Sequence, residues 1–189
     1  MWYPAKITEA ASSDAISIEE VKAQAIVEQS DDDTLLQRLI KVGQDHVERY
    51  CGLRFAKQTI EAKCDSFANL CRLPEAPTVS ITSIGYVDRD GNGQTVASSV
   101  YEERLEGLEP SIVLKYGQAW PAIQIGSRIT LTAVVGYETA PAAVKHAMLM
   151  LIATWYARRE NVITGSSTVE NLPMPAGVDA LLCNFRRGI

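Results

Sequence analysis

Residues 31–52, DDDTLLQRLIKVGQDHVERYCG, decide the fold of this chain. Asp31, Asp32 and Asp33 favour the positive end of a helix macrodipole and offer oxygens to its free N–H groups. Leu35, Leu36, Leu39, Ile40, Gly43, Val47 and Tyr50 then recur at spacings of three and four, which defines one buried helical face. Gly52 stops the helix, because glycine enters the left-handed cap conformation without penalty. Upstream, residues 16–27 begin with Ser17 as a cap and Glu20 three positions later as its capping-box partner. Val21, Ala25 and Ile26 supply a modest apolar stripe. Only a few polar residues separate the two helices, so an antiparallel helical hairpin is the simplest geometry.

After Gly52 the period changes. Residues 59–64, 79–87, 112–116 and 128–135 are rich in Ile, Val, Thr and Tyr, with alternation in several stretches. Pro74, Pro77, Asp90-Gly91-Asn92-Gly93, Pro110 and Gly126 punctuate them, and the block reads as a small antiparallel sheet. Helical patterning returns at Thr139-Ala140-Pro141, with proline near the first turn. Val144, Ala147, Met148, Leu151, Ile152 and Trp155 form one face, while Leu149, Met150 and Ala153 make much of the remaining circumference apolar. Such a helix needs contact on several sides, from its own fold or from a neighbouring subunit. Residues 164–176 read as a loop, and residues 178–185 as a last short helix, tethered outside the main core and followed by Arg186 and Arg187.

Composition narrows the function. The 189 residues carry 18 Lys and Arg against 23 Asp and Glu, a net charge of −5, with 47% hydrophobic and 22% charged residues. This is the balance of a globular domain, neither disordered nor fibrous. The acid excess argues against a general nucleic-acid binder, which needs clustered basic residues. The N-terminus, Met-Trp-Tyr-Pro-Ala-Lys, has no signal-peptide pattern. The longest charge-free apolar stretch, residues 147–157, falls far short of the ~20 residues that cross a bilayer, so no membrane association is expected. The four cysteines, Cys51, Cys64, Cys71 and Cys183, form no C-x-x-C pair and are expected as free thiols in a reducing cytoplasm.

Catalytic and metal signatures are absent. Asp88-Arg89-Asp90-Gly91-Asn92-Gly93 matches the opening of a calcium loop, but Ser99 stands where a bidentate Glu belongs. Asp-Gly and Asn-Gly steps between strands are also the strongest hairpin signal, and the hairpin reading wins. His46 and His146 lack metal-ligand spacing and fit helix packing better. Glu102, Glu103 and Glu106 read as an acidic solvated loop. No phosphate loop, dinucleotide fingerprint or nucleophile elbow occurs. No enzyme, cofactor or metal is expected; the alternative is a calcium- or zinc-binding interaction module, and a hydrolase sited in the sheet block is a third reading. Trp155 is expected in the core. For Trp120, Arg158 and Arg159, packing or helix-end roles and a protein interface both remain open.

In order along the chain stand Ser17-Ile18-Glu19-Glu20-Val21-Lys22, Asp32-Asp33-Thr34-Leu35-Leu36, Val47-Glu48-Arg49-Tyr50-Cys51-Gly52 and Leu73-Pro74. They are followed by Val79-Ser80-Ile81-Thr82-Ser83-Ile84, Tyr116-Gly117-Gln118-Ala119-Trp120-Pro121, Gly136-Tyr137, Ala140-Pro141-Ala142-Ala143-Val144-Lys145-His146-Ala147 and Trp155-Tyr156-Ala157-Arg158-Arg159-Glu160. The series resembles the head–tail connector (adaptor, or head-completion) proteins of tailed bacteriophages and phage-derived particles such as gene transfer agents. No single motif is specific; the ordered series is.

The resemblance implies a structural subunit of the particle neck, assembled in the bacterial cytoplasm. Its partners would be further copies of itself in a cyclic ring (a dodecamer on the portal), the portal protein, and the next neck or tail-completion protein. DNA would pass through the channel without specific binding. The implied fold is α+β, a small helical bundle of a helical hairpin and a long third helix, with an inserted antiparallel β-sheet block and a C-terminal arm ending in a short helix. In a single adaptor domain over residues 1–189, the hairpin takes 16–52, the β-rich insertion 53–138, the core helix 139–160 and the loop and docking arm 161–189. The candidate partner interface is Trp120, Arg158, Arg159, Leu172, Met174, Leu181, Phe185, Arg186 and Arg187. An acidic subunit lining a channel would let DNA slide.

Overall fold

A computed structural model of the chain describes residues 1–157 and 176–188. They fall into two units, Met1–Ser12 with Ala56–Glu138, and Ser13–Phe55 with Thr139–Ile189. The class is α+β: among the described residues there are four α-helices, a five-stranded antiparallel sheet and a two-stranded sheet.

The second unit is helical. In α1 (Ile18–Ala25) the expected capping box is complete: the Glu20 N–H donates to Ser17 Oγ at 3.2 Å and the Ser17 N–H to Glu20 Oε2 at 2.8 Å. In α2 (Asp33–Cys51) Leu36, Ile40, Gly43, Val47 and Cys51 are buried at spacings of three and four, and Gly52 caps the end at φ 65°. The acidic start works differently from the sequence expectation. Asp32 sits at the N-cap but makes no capping hydrogen bond. Instead its Oδ2 accepts the Tyr156 hydroxyl at 2.5 Å, and Asp33 pairs with Lys22 at 2.5 Å.

Helix α3 (Ala142–Ala157) buries Val144, Ala147, Met148, Leu151 and Ile152, and α1, α2 and α4 (Ala176–Leu182) all pack on it. Its main apolar face is thus met within the chain, while Leu149, Met150 and Ala153 stay partly exposed. A Cβ on Gly43 would stand 3.1 Å from Ile152, so the missing side chain lets α2 and α3 approach closely. Trp155 is half-buried rather than a core residue, lying edge-on to the exposed His46 at 5.9 Å. The tail corrects a second expectation: Val178 and Leu182 are fully buried, so α4 contributes to the core of its unit.

The first unit is the sheet, ordered β1-β2-β7-β3-β4 from β1 (Lys6–Glu9), β2 (Gln58–Cys64), β3 (Thr78–Val87), β4 (Gly93–Thr95) and β7 (Ile129–Val135). The central strand β7 alternates strictly, burying Ile129, Leu131, Ala133 and Val135 on one face. Ile60 and Cys64 of β2 and Ile84 of β3 share that buried cluster, and a 3-10 turn at Phe67–Cys71 covers it with Phe67 and Leu70. The hairpin of β5 (Tyr101–Arg104) and β6 (Ser111–Leu114) adds Tyr101 and Ile112. Burying each such side chain contributes about 1.5–3 kcal/mol. Thr59, Glu61, Thr130 and Thr132 line the other face, partly exposed. Gly136 has φ 99°, and a Cβ there would meet the Ala56 carbonyl oxygen at an impossible 2.2 Å, so only glycine fits.

Three strands escape the sequence reading. Residues 6–9 show no strand pattern, and β4 and β5 are too short to show periodicity. Glu102 and Glu103 are exposed on β5 rather than in an acidic loop, although Glu106 does follow the strand.

Candidate functional site

Trp120 lies in the connection between β6 and β7, and its immediate role is to anchor that connection. Its ring stacks on Phe67 with centroids 4.7 Å apart and planes 4° from parallel. The Gln124 N–H donates to Val87 O at 3.0 Å, the Lys115 N–H to Val100 O at 3.1 Å and Lys115 Nζ to Ser98 O at 3.0 Å. Ile123 also packs against the buried cluster. A loop held at this many points still projects two large apolar side chains into solvent: Tyr116 is 104% exposed and Ile125 101%. Such side chains resemble protein-interface anchors more than core residues. The sequence reading passed over both, although Tyr116 belongs to a motif that it singled out.

At the C-terminus, Leu181 and Phe185 are half-buried and Arg186 is exposed. The Arg186 guanidinium lies 4.9 Å from the centre of the Tyr50 ring, and the Tyr50 hydroxyl donates to Asp179. That bond to a carboxylate raises the Tyr50 pKa above its usual value. The Arg187 N–H donates to Cys51 O at 2.8 Å, fastening the tail to the end of α2. Leu181, Phe185, Arg186 and Arg187 are therefore grouped in the helical unit, whereas Trp120 belongs to the sheet unit. Arg158, Arg159, Leu172 and Met174, with the expected end of the third helix at residue 160, lie outside the described residues.

The Asp88 turn has the geometry of a hairpin. Asp88 Oδ1 accepts the N–H groups of Asp90 and Asn92 at 3.0 and 2.9 Å, and Oδ2 accepts Gln94 Nε2 at 3.1 Å. These bonds, led by Asn92, hold the Asp88 carboxyl below its usual pKa. Both Asp88 carboxylate oxygens thus help to close β3 onto β4. Among the described residues, no three His, Cys, Asp or Glu side chains converge as a metal set, and no helix is long and apolar enough to cross a membrane.

Glu48, which the sequence shows only as one member of the motif 47–52, is a buried carboxylate at the end of α2. Its Oε1 accepts the Phe55 N–H at 2.9 Å and Gln44 Nε2 at 3.1 Å, and its Oε2 takes Arg54 at 3.2 Å. It fixes the turn by which the chain leaves the helical unit.

The neck of an empty GTA particle computed with C6 symmetry contains a chain of the same fold, with a TM-score of 0.80 and 19% identity over 99% of this chain and 97% of that one. A virion of a native gene transfer agent particle gives 0.78 and 19%, covering 98% and 96%. The neck of a native GTA particle computed with C12 symmetry gives 0.76 and 19%, covering 99% and 97%. No curated protein matches. The model of the head completion protein family spans residues 14–187. The chain therefore belongs to the head completion protein family.

Proposed function

We propose that this chain is a structural neck subunit that closes into a ring between the portal and the next neck or tail-completion protein of a phage or phage-like particle. The observation that carries the reading is the family match over residues 14–187, joined to a fold shared end to end with a chain of a particle neck. The C6 and C12 symmetries of the related necks favour a cyclic homo-oligomer, which on a twelve-fold portal is a dodecamer. Within a single adaptor domain, the α1–α2 hairpin and α3 form the helical bundle, and the β-rich block 53–138 is the insertion. The subunit is scaffolding rather than an enzyme. A net charge of −5 suits a wall around DNA that must slide rather than stick.

The portal-facing surface in this reading is the C-terminal segment, with Leu181, Phe185, Arg186 and Arg187 joined by Arg158, Arg159, Leu172 and Met174. The exposed Arg186 and the half-buried Phe185 provide a charged and an apolar contact side by side. Trp120 acts from the sheet unit by holding its loop in shape for the neighbouring subunit or tail-side partner. Sedimentation and negative-stain imaging of the chain, alone and mixed with portal rings, test the proposal. Closed rings seated on the portal are expected, and Arg186→Glu should weaken the seating. A chain that stays monomeric and ignores the portal overturns it.

A further inference from the structure

The turn between β3 and β4 ends in Asn92-Gly93, the one place among the chain's five asparagines where glycine follows; Leu70, Val162, Leu172 and Phe185 follow the others. An asparagine side-chain amide is attacked by the backbone nitrogen of the next residue when that nitrogen is unbonded, sterically open and able to swing toward it. The hairpin meets the first two conditions. The Asp88 N–H donates to Asn92 O at 2.9 Å and the Val96 N–H to Ile84 O at 2.9 Å, which marks 88/92 and 84/96 as hydrogen-bonded pairs of the antiparallel ladder. Alternation then makes 87/93 a non-hydrogen-bonded pair, so the Gly93 N–H points away from β3. Strand β4 is an edge strand, and that N–H lies on its open side. Asn92 and Gly93 are both exposed, and a Cβ on Gly93 would meet nothing within 4 Å.

The third condition is withheld. Asp88 grips Asn92 at both ends: its Oδ1 accepts the Asn92 N–H at 2.9 Å, and its own N–H holds the Asn92 carbonyl. Bringing the Gly93 nitrogen onto Asn92 Cγ requires rotation about the Asn92 Cα–C bond, which swings that carbonyl away from Asp88. The reaction must therefore pass through local opening of the turn.

We propose that Asn92 is a deamidation site of this protein and that Asp88 sets its rate by holding the turn closed. In the open turn the Gly93 nitrogen gives up its proton to solvent and bonds to Asn92 Cγ. The Cγ–Nδ2 bond breaks and Nδ2 leaves with a proton as ammonia, giving a five-membered succinimide. Water opens that ring at Cγ to yield aspartate, or at the backbone carbonyl carbon to yield isoaspartate. One water is consumed and one ammonia released, with no change of oxidation state. Either product places a carboxylate opposite Asp88, and like charges in a cross-strand pair are destabilising. Isoaspartate also lengthens the backbone by one carbon where β4 begins.

Peptide mapping by mass spectrometry of the whole chain, incubated at pH 8, tests both the site and its control. Asn92 should convert to the acid well before Asn69 and Asn184, with isoaspartate in the product. In urea, where the turn stays open, it should convert faster still. Asp88→Ala removes a charge-assisted hydrogen bond, so the folded variant should convert about tenfold faster than the wild type, while the two unfolded chains match. Gly93→Ala, which the open space accommodates, should slow conversion in both states because its methyl group hinders the attacking nitrogen. An Asn92 that converts no faster than Asn69 or Asn184, in the folded wild type and in Asp88→Ala alike, overturns the site. Equal folded rates for the wild type and Asp88→Ala overturn the control by Asp88.

Discussion

Glu48 illustrates how much a single buried carboxylate governs. Three donors from Gln44, Arg54 and Phe55 converge on it, and deleting the side chain would remove the buried acceptor that they share. Glu48→Ala should therefore cost about 2–4 kcal/mol, read as a lowered urea midpoint, while Glu48→Gln retains the acceptor for Phe55 and should cost less. The cysteines allow a second test at this scale. Burial raises the Cys51 thiol from its ordinary 9.0 to about 11, and Cys64 is raised for the same reason. Cys71 and Cys183 are exposed. At pH 8 a thiol reagent should label Cys71 and Cys183 first, with Cys51 and Cys64 reacting only on unfolding. A raised folded pKa means that the native state holds its proton longer than the unfolded chain does. The stability linked to Cys51 is then complete below pH 9 and falls between pH 9 and about 11, by on the order of 2 kcal/mol.

Among the elements, α1 is short and depends on its ends. Ser17→Ala removes one arm of the capping box and should cost about 1 kcal/mol. The other arm has a pH signature. The Ser17 N–H, with help from Lys145, holds the Glu20 carboxyl below its ordinary value of 4.5. Its contribution is present above that value and fades as the pH falls through the lower folded pKa, so chemical denaturation at pH 3.5 should find the penalty of Glu20→Ala smaller than at pH 7. Where an element announces itself by period or cap, the sequence revealed it: Ser17 and Glu20, the α2 stripe from Leu36 to Val47, Gly52, and the long strands β2, β3 and β7; Cys51, not the Tyr50 that the spacing suggests, completes the buried face. What remained hidden has physical reasons. Strand β1, with every residue exposed, has no alternation to detect, and β4 and β5 are only three and four residues long. Their existence depends on partners distant in sequence. Asp32 was correctly placed at a helix start yet bonds Tyr156 instead of the backbone, a preference that only tertiary structure reveals. The candidate interface was half legible: Trp120 stood out by type, but the side chains it exposes, Tyr116 and Ile125, look ordinary in a list of residues.

At the scale of the whole molecule, the two ends of the block 56–138 lie side by side within the sheet unit. Gln58 pairs with Val135, Lys57 Nζ meets Glu138 Oε2 at 2.6 Å, and Gly136 presses against Ala56. The two ends of the block are thus held together by the block itself. Joining residue 55 to residue 139 through a short glycine-serine linker, with residues 1–12 removed, closes only a small gap, and loop closure of that size costs little. The shortened chain should keep its helical circular dichroism and unfold cooperatively, while losing the β signal; a molten product would count against it. A block with this geometry can be exchanged between related genes as one cassette, provided that the short N-terminal strand travels with it. That second requirement makes the join harder to transplant than its adjacent ends imply, because a recombination event must bring two separated stretches of gene from the same parent.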